Sequence, residues 1–370
     1  MNFMSNLGLI YFLAPFLNIV QNKISLLFAV VFGFEEIQLI LKNGLKIKLK
    51  KSQFDILQSI MGIVGYSMIS KFRDEQFLNL SFDGKNFFDI DTKKLDLETE
   101  NLLLLLYFGT KYGADFISGK NDIKSKRDKT FHLYESKGKK IIETPNGIKF
   151  FMDSIHPGNT IVETFVNKIH FINSDIDWNG KIVIDVGAEC GDTPLYYASL
   201  GATVYAFEPI RAHYDAMIRN LSLNPSIAKN IIPVNAAIGK DEILTFYHSD
   251  SSDIGVSASF VYNLHGKDAK TTKVKGYSVE SAIEEFKINH VDLLKMDCKG
   301  CQFFLTKDSL KMVDMVKIEY GIRERNHKID DLLELLKASD FDYVIYRTNP
   351  FHRVSNKIGG NIFGKKISGK

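Results

Sequence analysis

Glu208 closes a short apolar run, and it lies about 20 residues beyond a glycine, Gly187, that follows another such run. A carboxylate at that distance in a βαβ unit accepts hydrogen bonds from ribose hydroxyls. The stretch between them opens Asp185-Val186-Gly187-Ala188-Glu189-Cys190-Gly191-Asp192. Gly187 and Gly191 permit a tight turn and a close backbone approach by a ligand. The spacing is G-x-x-x-G rather than G-x-G-x-x-G, so nothing in it is built to cradle a pyrophosphate. That disfavours a nicotinamide-dependent oxidoreductase. Further along, Asp297 ends the apolar run Val291 to Met296, and four histidines (His156, His170, His248 and His265) are candidate bases. A histidine is more commonly a packing or surface residue, so none of the four carries an assignment alone.

These residues require particular elements to position them. Lys181 to Val186 has the composition of a buried parallel strand. Asp192 or Thr193 can cap a helix, Pro194 suits its first turn, and Gly201 stops it. Thr203 to Phe207 is the second strand. A helix over 160–169, with Thr160 and Glu163 as a capping box, would precede this unit and lie over the cofactor edge of the sheet. Downstream the pattern predicts a helix from Arg211, a third strand over Ile231 to Ile238, extra strands near 244–248 and 272–276, and a helix over 279–286. Core strands at 291–296 and 312–320, a helix at 329–338 and final strands at 341–346 and 361–363 follow. Alternation of this kind specifies an α/β fold with a Rossmann-like, doubly wound, mostly parallel sheet, and its ligand belongs at the carboxyl ends where strand order reverses.

The amino-terminal third has a different pattern. Leu7 to Val20 and Ile24 to Phe34 are apolar, but neither reaches the ~20 residues that span a bilayer. No basic residue precedes the first run and no small-residue cleavage site follows it, so a signal peptide is not expected. Two readings remain open for residues 7–34: helices in an amino-terminal core, or a peripheral contact with an anionic membrane, reinforced by the lysines at 46, 48 and 50. Glu36 to Lys50 predicts a hairpin turning at Asn43-Gly44, 78–88 a second hairpin, and 97–108 an apolar core helix. Residues 1–152 are therefore expected to form a smaller α+β accessory domain, and 153–370 the Rossmann-like domain. A net charge of +3 gives no footprint for nucleic acid. Cys190, Cys298 and Cys301 make no disulfide framework, which fits a reducing, cytoplasmic compartment. Because Cys190 and Cys298 follow neighbouring strands, a three-thiol cluster is geometrically allowed, with three free buried cysteines the plainer expectation.

The segments VIDVGAECGDT, YAFEP, VNAAIG, VDLLKMDCKGCQ and VKIEYG, in this order, resemble the FkbM family of methyltransferases over about residues 155–365. The resemblance implies a class I methyltransferase fold, S-adenosylmethionine as cofactor, and a hydroxyl on a saccharide, lipid-linked glycan or other small metabolite as acceptor. It places Asp185, Gly187, Gly191, Asp192, Glu208, Asn235, Ala236 and Ala237 around the cofactor, with Asn235 to Ala237 beside the adenine. Asp297 would stand near the reacting centre as base, substrate orienter or metal ligand; a metal requirement is left open. One departure matters. The family pattern D-x-E-G-x-E reads here Asp297-Cys298-Lys299-Gly300-Cys301-Gln302, so Lys299 and Gln302 replace two acids. A methyltransferase-like binding or scaffold protein without turnover is the alternative that this change raises.

Overall fold

A computed structural model describes residues 20–32, 34–40, 46–50, 69–72, 77–81, 84–85, 87–91, 98, 101–102, 105–106, 114–118, 130–155, 157–170, 176–248, 258–263, 267, 269–321, 328–346 and 359–367. The chain divides into two compact units, residues 1–145 and 146–370.

In the first unit, helix α1 (Lys23–Phe32) is followed by an antiparallel hairpin of β1 (Glu36–Ile40) and β2 (Lys46–Lys50). Helix α1 buries Leu26 and Ala29 and exposes Ile24, Phe28 and Phe32, one face at i, i+4, i+8. The rings of Phe28 and Phe32 stack 5.5 Å apart. No helix among the described residues is long and apolar enough to cross a membrane. Strands β3 (Ile69–Phe72), β4 (Phe77–Ser81) and β5 (Phe88–Asp91) form an antiparallel sheet; β4 and β5 are the expected second hairpin, and β3 is an addition to it. Within 98–106 the described residues are helical and bury Leu102, Leu105 and Leu106. Strand β6 (Asp115–Ser118) runs parallel to β7 (Thr130–Ser136), which pairs antiparallel with β8 (Lys139–Glu143). The apolar run before Val20 and the turn at Asn43-Gly44 lie outside the described residues.

The second unit starts with β9 (Lys149–Phe151), whose main-chain N–H groups at Lys149 and Phe151 donate to the side chains of Asn224 and Asn220. Next come β10 (Ile182–Val186), α2 (Asp192–Ser199), β11 (Thr203–Phe207), α3 (Arg211–Ser222), α4 (Pro225–Ala228) and β12 (Ile231–Val234). After them run β13 (Ala237–Ile238), β14 (Ile243–His248), β15 (Lys270–Tyr277), α5 (Val279–Glu285), β16 (Val291–Met296) and β17 (Val313–Gly321). Helix α6 (Ile329–Ala338), β18 (Phe341–Tyr346) and β19 (Gly359–Lys366) complete the unit.

The central sheet has the order β12-β11-β10-β16-β17-β19-β18, and in it β19 alone is antiparallel. The chain winds outward from β10 to β12 and then returns to build β16 and β17 on the other side. Strand order therefore reverses between β10 and β16, which is where an open α/β sheet accepts its ligand. The expected third strand is split. The chain leaves the central sheet at Asn235, and β13 joins β15 and β14 in a separate three-stranded sheet.

Alternation sorts the two faces of the central sheet. Ile184, Val186, Leu294, Met296, Val316 and Ile318 share one face, in a core with Val279, Ala282 and Ile283 of α5 and Ile329, Leu332 and Leu336 of α6. Asp185, Lys295 and Lys317 stand on the other face, in register across β10, β16 and β17. The next step up that face carries Gly187, Asp297 and Glu319.

Candidate active site at the strand ends

Gly187 is left-handed, with φ +79°, and a Cβ on it would lie 2.2 Å from the carbonyl oxygen of Asp297. The Asp297 amide donates to the Val186 carbonyl at 2.9 Å, which locks the exits of β10 and β16 together. Gly191 has φ +86°, and a Cβ there would press on Met217 Cγ at 2.9 Å. Both glycines are thus demanded by close protein packing, where the sequence suggested approach by a ligand. Gly191 also occupies the cap position of α2, so neither Asp192 nor Thr193 caps that helix. Asp192 is buried and its carboxylate accepts from the Thr164 hydroxyl.

Glu208 is buried at the end of β11. Its Oε2 accepts from the Glu189 amide at 2.9 Å and its Oε1 from the Ile210 amide at 2.8 Å. A carboxylate has about four acceptor directions. Acceptor capacity remains after these bonds for a ribose hydroxyl, and His213 Nδ1 lies 3.5 Å from Oε1. Asn235 Nδ2 donates to the Glu208 carbonyl at 2.8 Å and to the Pro209 carbonyl at 3.2 Å, so the turn after β12 braces the turn after β11. Ala236 and Ala237 are buried beside it. The donor set of this corner fits a ribose-bearing cofactor.

On the opposite side of Gly187 lies a cluster of charges. Lys295 Nζ meets Asp185 Oδ1 at 2.8 Å and donates to Thr193 Oγ1 at 3.2 Å, all within the interior. Burial opposes its charge, but Asp185, Asp297 and Asp192 together hold the ammonium above its ordinary range. Lys317 Nζ lies 3.0 Å from His170 Nδ1, both buried. Burial brings Lys317 down to about 8 against the pull of Asp297 and Glu319. Burial and the neighbouring lysines hold His170 neutral. Lys299 Nζ bridges Asp297 at 2.9 Å and Glu319 at 3.3 Å. The charge reversal at position 299 is therefore matched by two acids. An ammonium stands where a dication between the two carboxylates would sit, so this pair does not fit a metal. Although burial acts to raise it, Lys299, Lys295 and Lys317 keep Asp297 well below the usual carboxylate range.

Glu163 belongs to the same cluster. The segment Pro157–Val166 is π-helical, as in the Asn167 amide donating to the Val162 carbonyl. Glu163 thus lies inside this element, where a capping box would have put it at an end. Burial, then Glu319 and Asp297, push its carboxyl up to about 8. The folded protein then retains a proton that the unfolded chain loses near pH 4.5, so this group's contribution falls as pH rises from about 4.5 to about 8. Glu163→Gln removes that dependence. Urea unfolding at about pH 5 and about pH 8 is expected to show the variant gaining stability relative to the wild type at the higher pH; an unchanged difference contradicts this placement of Glu163.

The cysteines differ from expectation. Cys298 and Cys301 form a disulfide with Cα atoms 5.5 Å apart, while Cys190 is free and buried. The three-thiol cluster does not form, and neither do three free cysteines. The cause is local: Lys299 at φ 44° and Gly300 at φ 122° fold the turn so that positions 298 and 301 face each other. Gln302 is buried, and its Oε1 accepts the Gly300 amide at 3.0 Å. His248 lies away on β14, 2.8 Å from Thr272 Oγ1, and His156 and His265 are outside the described residues. Among the described residues, only His290, Asp292 and Asp314 are grouped like metal ligands. They precede or open β16 and β17, at the end away from Asp297, and Asp292 is already paired with Lys181 at 2.8 Å. Sequence reasoning missed Lys295, Lys317 and Thr164, and read Glu163 only as part of a helix cap. The available signal was a lysine set within an apolar strand, in VDLLKM and in VDMVKIE, where no solvent face exists.

With this geometry the fold is the Rossmann-like α/β sheet of the class I methyltransferase type. Residues 185–344 match the family model described as the methyltransferase FkbM domain. No curated protein matches the sequence. Among solved structures it is similar to a fibrillarin pre-rRNA processing protein from Methanococcus jannaschii, with TM-score 0.36 and 13% identity over 82% of this chain and 98% of that one. It is also similar to TYW2 from M. jannaschii in complex with AdoMet, with TM-score 0.34 and 15% identity over 69% and 98% of the two chains. A third is precorrin-6y C5,15-methyltransferase from Geobacter metallireducens, with TM-score 0.33 and 10% identity over 54% and 88%.

Proposed function

We propose that this protein transfers a methyl group from S-adenosylmethionine to a hydroxyl of a saccharide, a lipid-linked glycan or another small metabolite. The observation that carries the proposal is the pairing of a ribose-type carboxylate corner with a charged cluster at one switch point, Gly187 lying between them. Glu208 would hold the ribose hydroxyls, the turn from Gly187 to Gly191 would face the methionine portion, and Asn235 to Ala237 would flank the adenine. Asp185 and Asp192, both buried, would support that turn from beneath. The bound cofactor supplies an electrophilic methyl on a sulfonium.

The protein's part is to position the acceptor and take its proton. Asp297, held ionised, would accept a hydrogen bond from the acceptor hydroxyl and orient it. A carboxylate so strongly stabilised is a weak proton acceptor. Glu163 in the same cluster, at about 8, is the stronger base, and it can receive the proton in the fraction of molecules in which it is ionised, a fraction that grows as pH rises toward about 8. Incubation with S-adenosylmethionine labelled in its methyl group, against pooled saccharide and lipid-linked acceptors, tests this. Label is expected in an ether linkage, and Asp297→Asn is expected to reduce it by about 100-fold. Cofactor binding without transfer to any acceptor would instead favour the non-catalytic scaffold.

The exposed face of α1 supports a further part of this reading, in which the protein meets lipid-linked acceptors on an anionic membrane surface. Ile24, Phe28 and Phe32 would enter the interface, and Lys46 and Lys48, both exposed, would add attraction. Full-length protein is expected to float with anionic liposomes at low salt, and Phe28→Glu with Phe32→Glu to abolish flotation. Wild-type protein remaining in the soluble fraction would remove the membrane from the proposal.

A further inference from the structure

The Cys298–Cys301 pair flanks Lys299 in the charged cluster and supplies no group to the proposed methyl transfer. Cys298 is partly exposed and Cys301 is 1% exposed, so Cys298 is the more accessible residue of the pair. The path of the turn is set independently of the sulfur–sulfur bond. The Ser259 hydroxyl donates to the Lys299 carbonyl at 2.7 Å, and its oxygen accepts the amides of Val261 and Tyr262 at 3.0 Å each. Gly300 packs so tightly on this segment that a Cβ would lie 2.9 Å from Val261 Cβ. Gln302 closes the turn from the other side through the Gly300 amide. With the backbone held in this way, opening the bridge leaves both sulfurs within reach of re-forming it, because a Cα separation of 5.5 Å is inside the disulfide range.

We infer that Cys298 and Cys301 form a reversible thiol–disulfide exchange site for low-molecular-weight thiols and disulfides, at the edge of the acceptor site. In the reductive direction an external thiolate attacks Cys298 Sγ and forms a mixed disulfide there. The bond to Cys301 breaks, and Cys301 leaves as a thiolate that takes up a proton. A second external thiolate then attacks the small molecule's sulfur in the mixed disulfide. Cys298 is released, and the two external thiols end as one disulfide having supplied two electrons. Oxidation by a small disulfide such as oxidised glutathione runs the same steps backward. The bridge brackets Lys299, whose ammonium spans Asp297 and Glu319, so its state also sets the charge geometry facing the acceptor. That consequence rests on the methyl-transfer reading; the exchange chemistry does not.

Cys190 is an internal control. It is fully buried, and burial together with Asp192 and Glu189 pushes its thiol well up, so little thiolate forms. The test uses full-length protein in glutathione buffers of graded oxidation, quenched by alkylation and read by peptide mass. The Cys298–Cys301 peptide is expected to pass reversibly from bridged to doubly alkylated while the folded circular-dichroism signal persists. In Cys301→Ser, glutathione is expected to attach to Cys298 at least about ten-fold faster than to Cys190. A bridge in the wild type that opens only when the protein is unfolded overturns the inference and leaves a structural crosslink. Equal reaction rates of Cys298 and Cys190 in Cys301→Ser also overturn it.

Discussion

Replacing Asp185 by alanine is expected to destabilise the carboxy-terminal unit by about 3–5 kcal/mol, because it strands a buried ammonium. Lys295 is 2% exposed, and Asp185 is the carboxylate that meets it at 2.8 Å. The Thr193 hydroxyl at 3.2 Å and the Gly187 carbonyl at 3.5 Å also accept from its Nζ but carry no full charge, and Asp297 and Asp192 act on it without a direct bond. Urea unfolding followed through Trp178 suits the measurement. It is the chain's single tryptophan, it is buried, and its ring meets Tyr197 at 4.7 Å in the same unit. Asp185→Ala with Lys295→Met should recover much of the loss, since the second change removes the uncompensated charge. If the double variant is as unstable as the sum of the single ones, the charge pairing is not what Asp185 contributes.

Gly187→Ala is expected to cost about 2–5 kcal/mol, from a left-handed backbone that alanine disfavours and a collision that cannot be relieved locally. The atom in the way is the Asp297 carbonyl oxygen, 2.2 Å from the new methyl, and the Asp297 amide is itself bonded to Val186. Relief therefore requires β10 and β16 to separate at their carboxyl ends, which also displaces Asp297. Cofactor affinity should fall together with stability. Gly180→Ala is the comparison: φ is +74° there, but nothing lies within 4 Å of the added atom, so only the conformational part of the cost remains. Equal losses at the two positions would show that the Asp297 contact is unimportant.

Much of the second unit was legible in the sequence because local and global signals agree there. Continuous apolar runs, turn glycines and the acid at 208 all point to one βαβ unit, and strand alternation does the rest. The split at Asn235 was hidden because Ile231 to Ile238 reads as one apolar strand; only the pairing of Ala237 with Gly276 shows that the chain changes sheets. The acid-and-glycine corner was visible, while of the charged cluster beside it only Asp297, Lys299 and His170 were singled out, and not as a group. Lys295, Lys317 and Glu163 acquire their character from partners far away in sequence, so spacing alone could not assemble them. Lys299 looked like lost chemistry in isolation, and it reads differently once Glu319 is seen beside it. The disulfide was hidden because C-x-x-C carries no information about the φ angles of Lys299 and Gly300.

The most direct test of the account is calorimetric titration of the full-length protein with S-adenosylhomocysteine, the demethylated cofactor, alongside Glu208→Ala. The account predicts one site per chain, with affinity reduced roughly 10- to 100-fold in the variant, about the worth of one or two charge-assisted hydrogen bonds. Absence of binding to the wild type, or equal binding by both proteins, would contradict it.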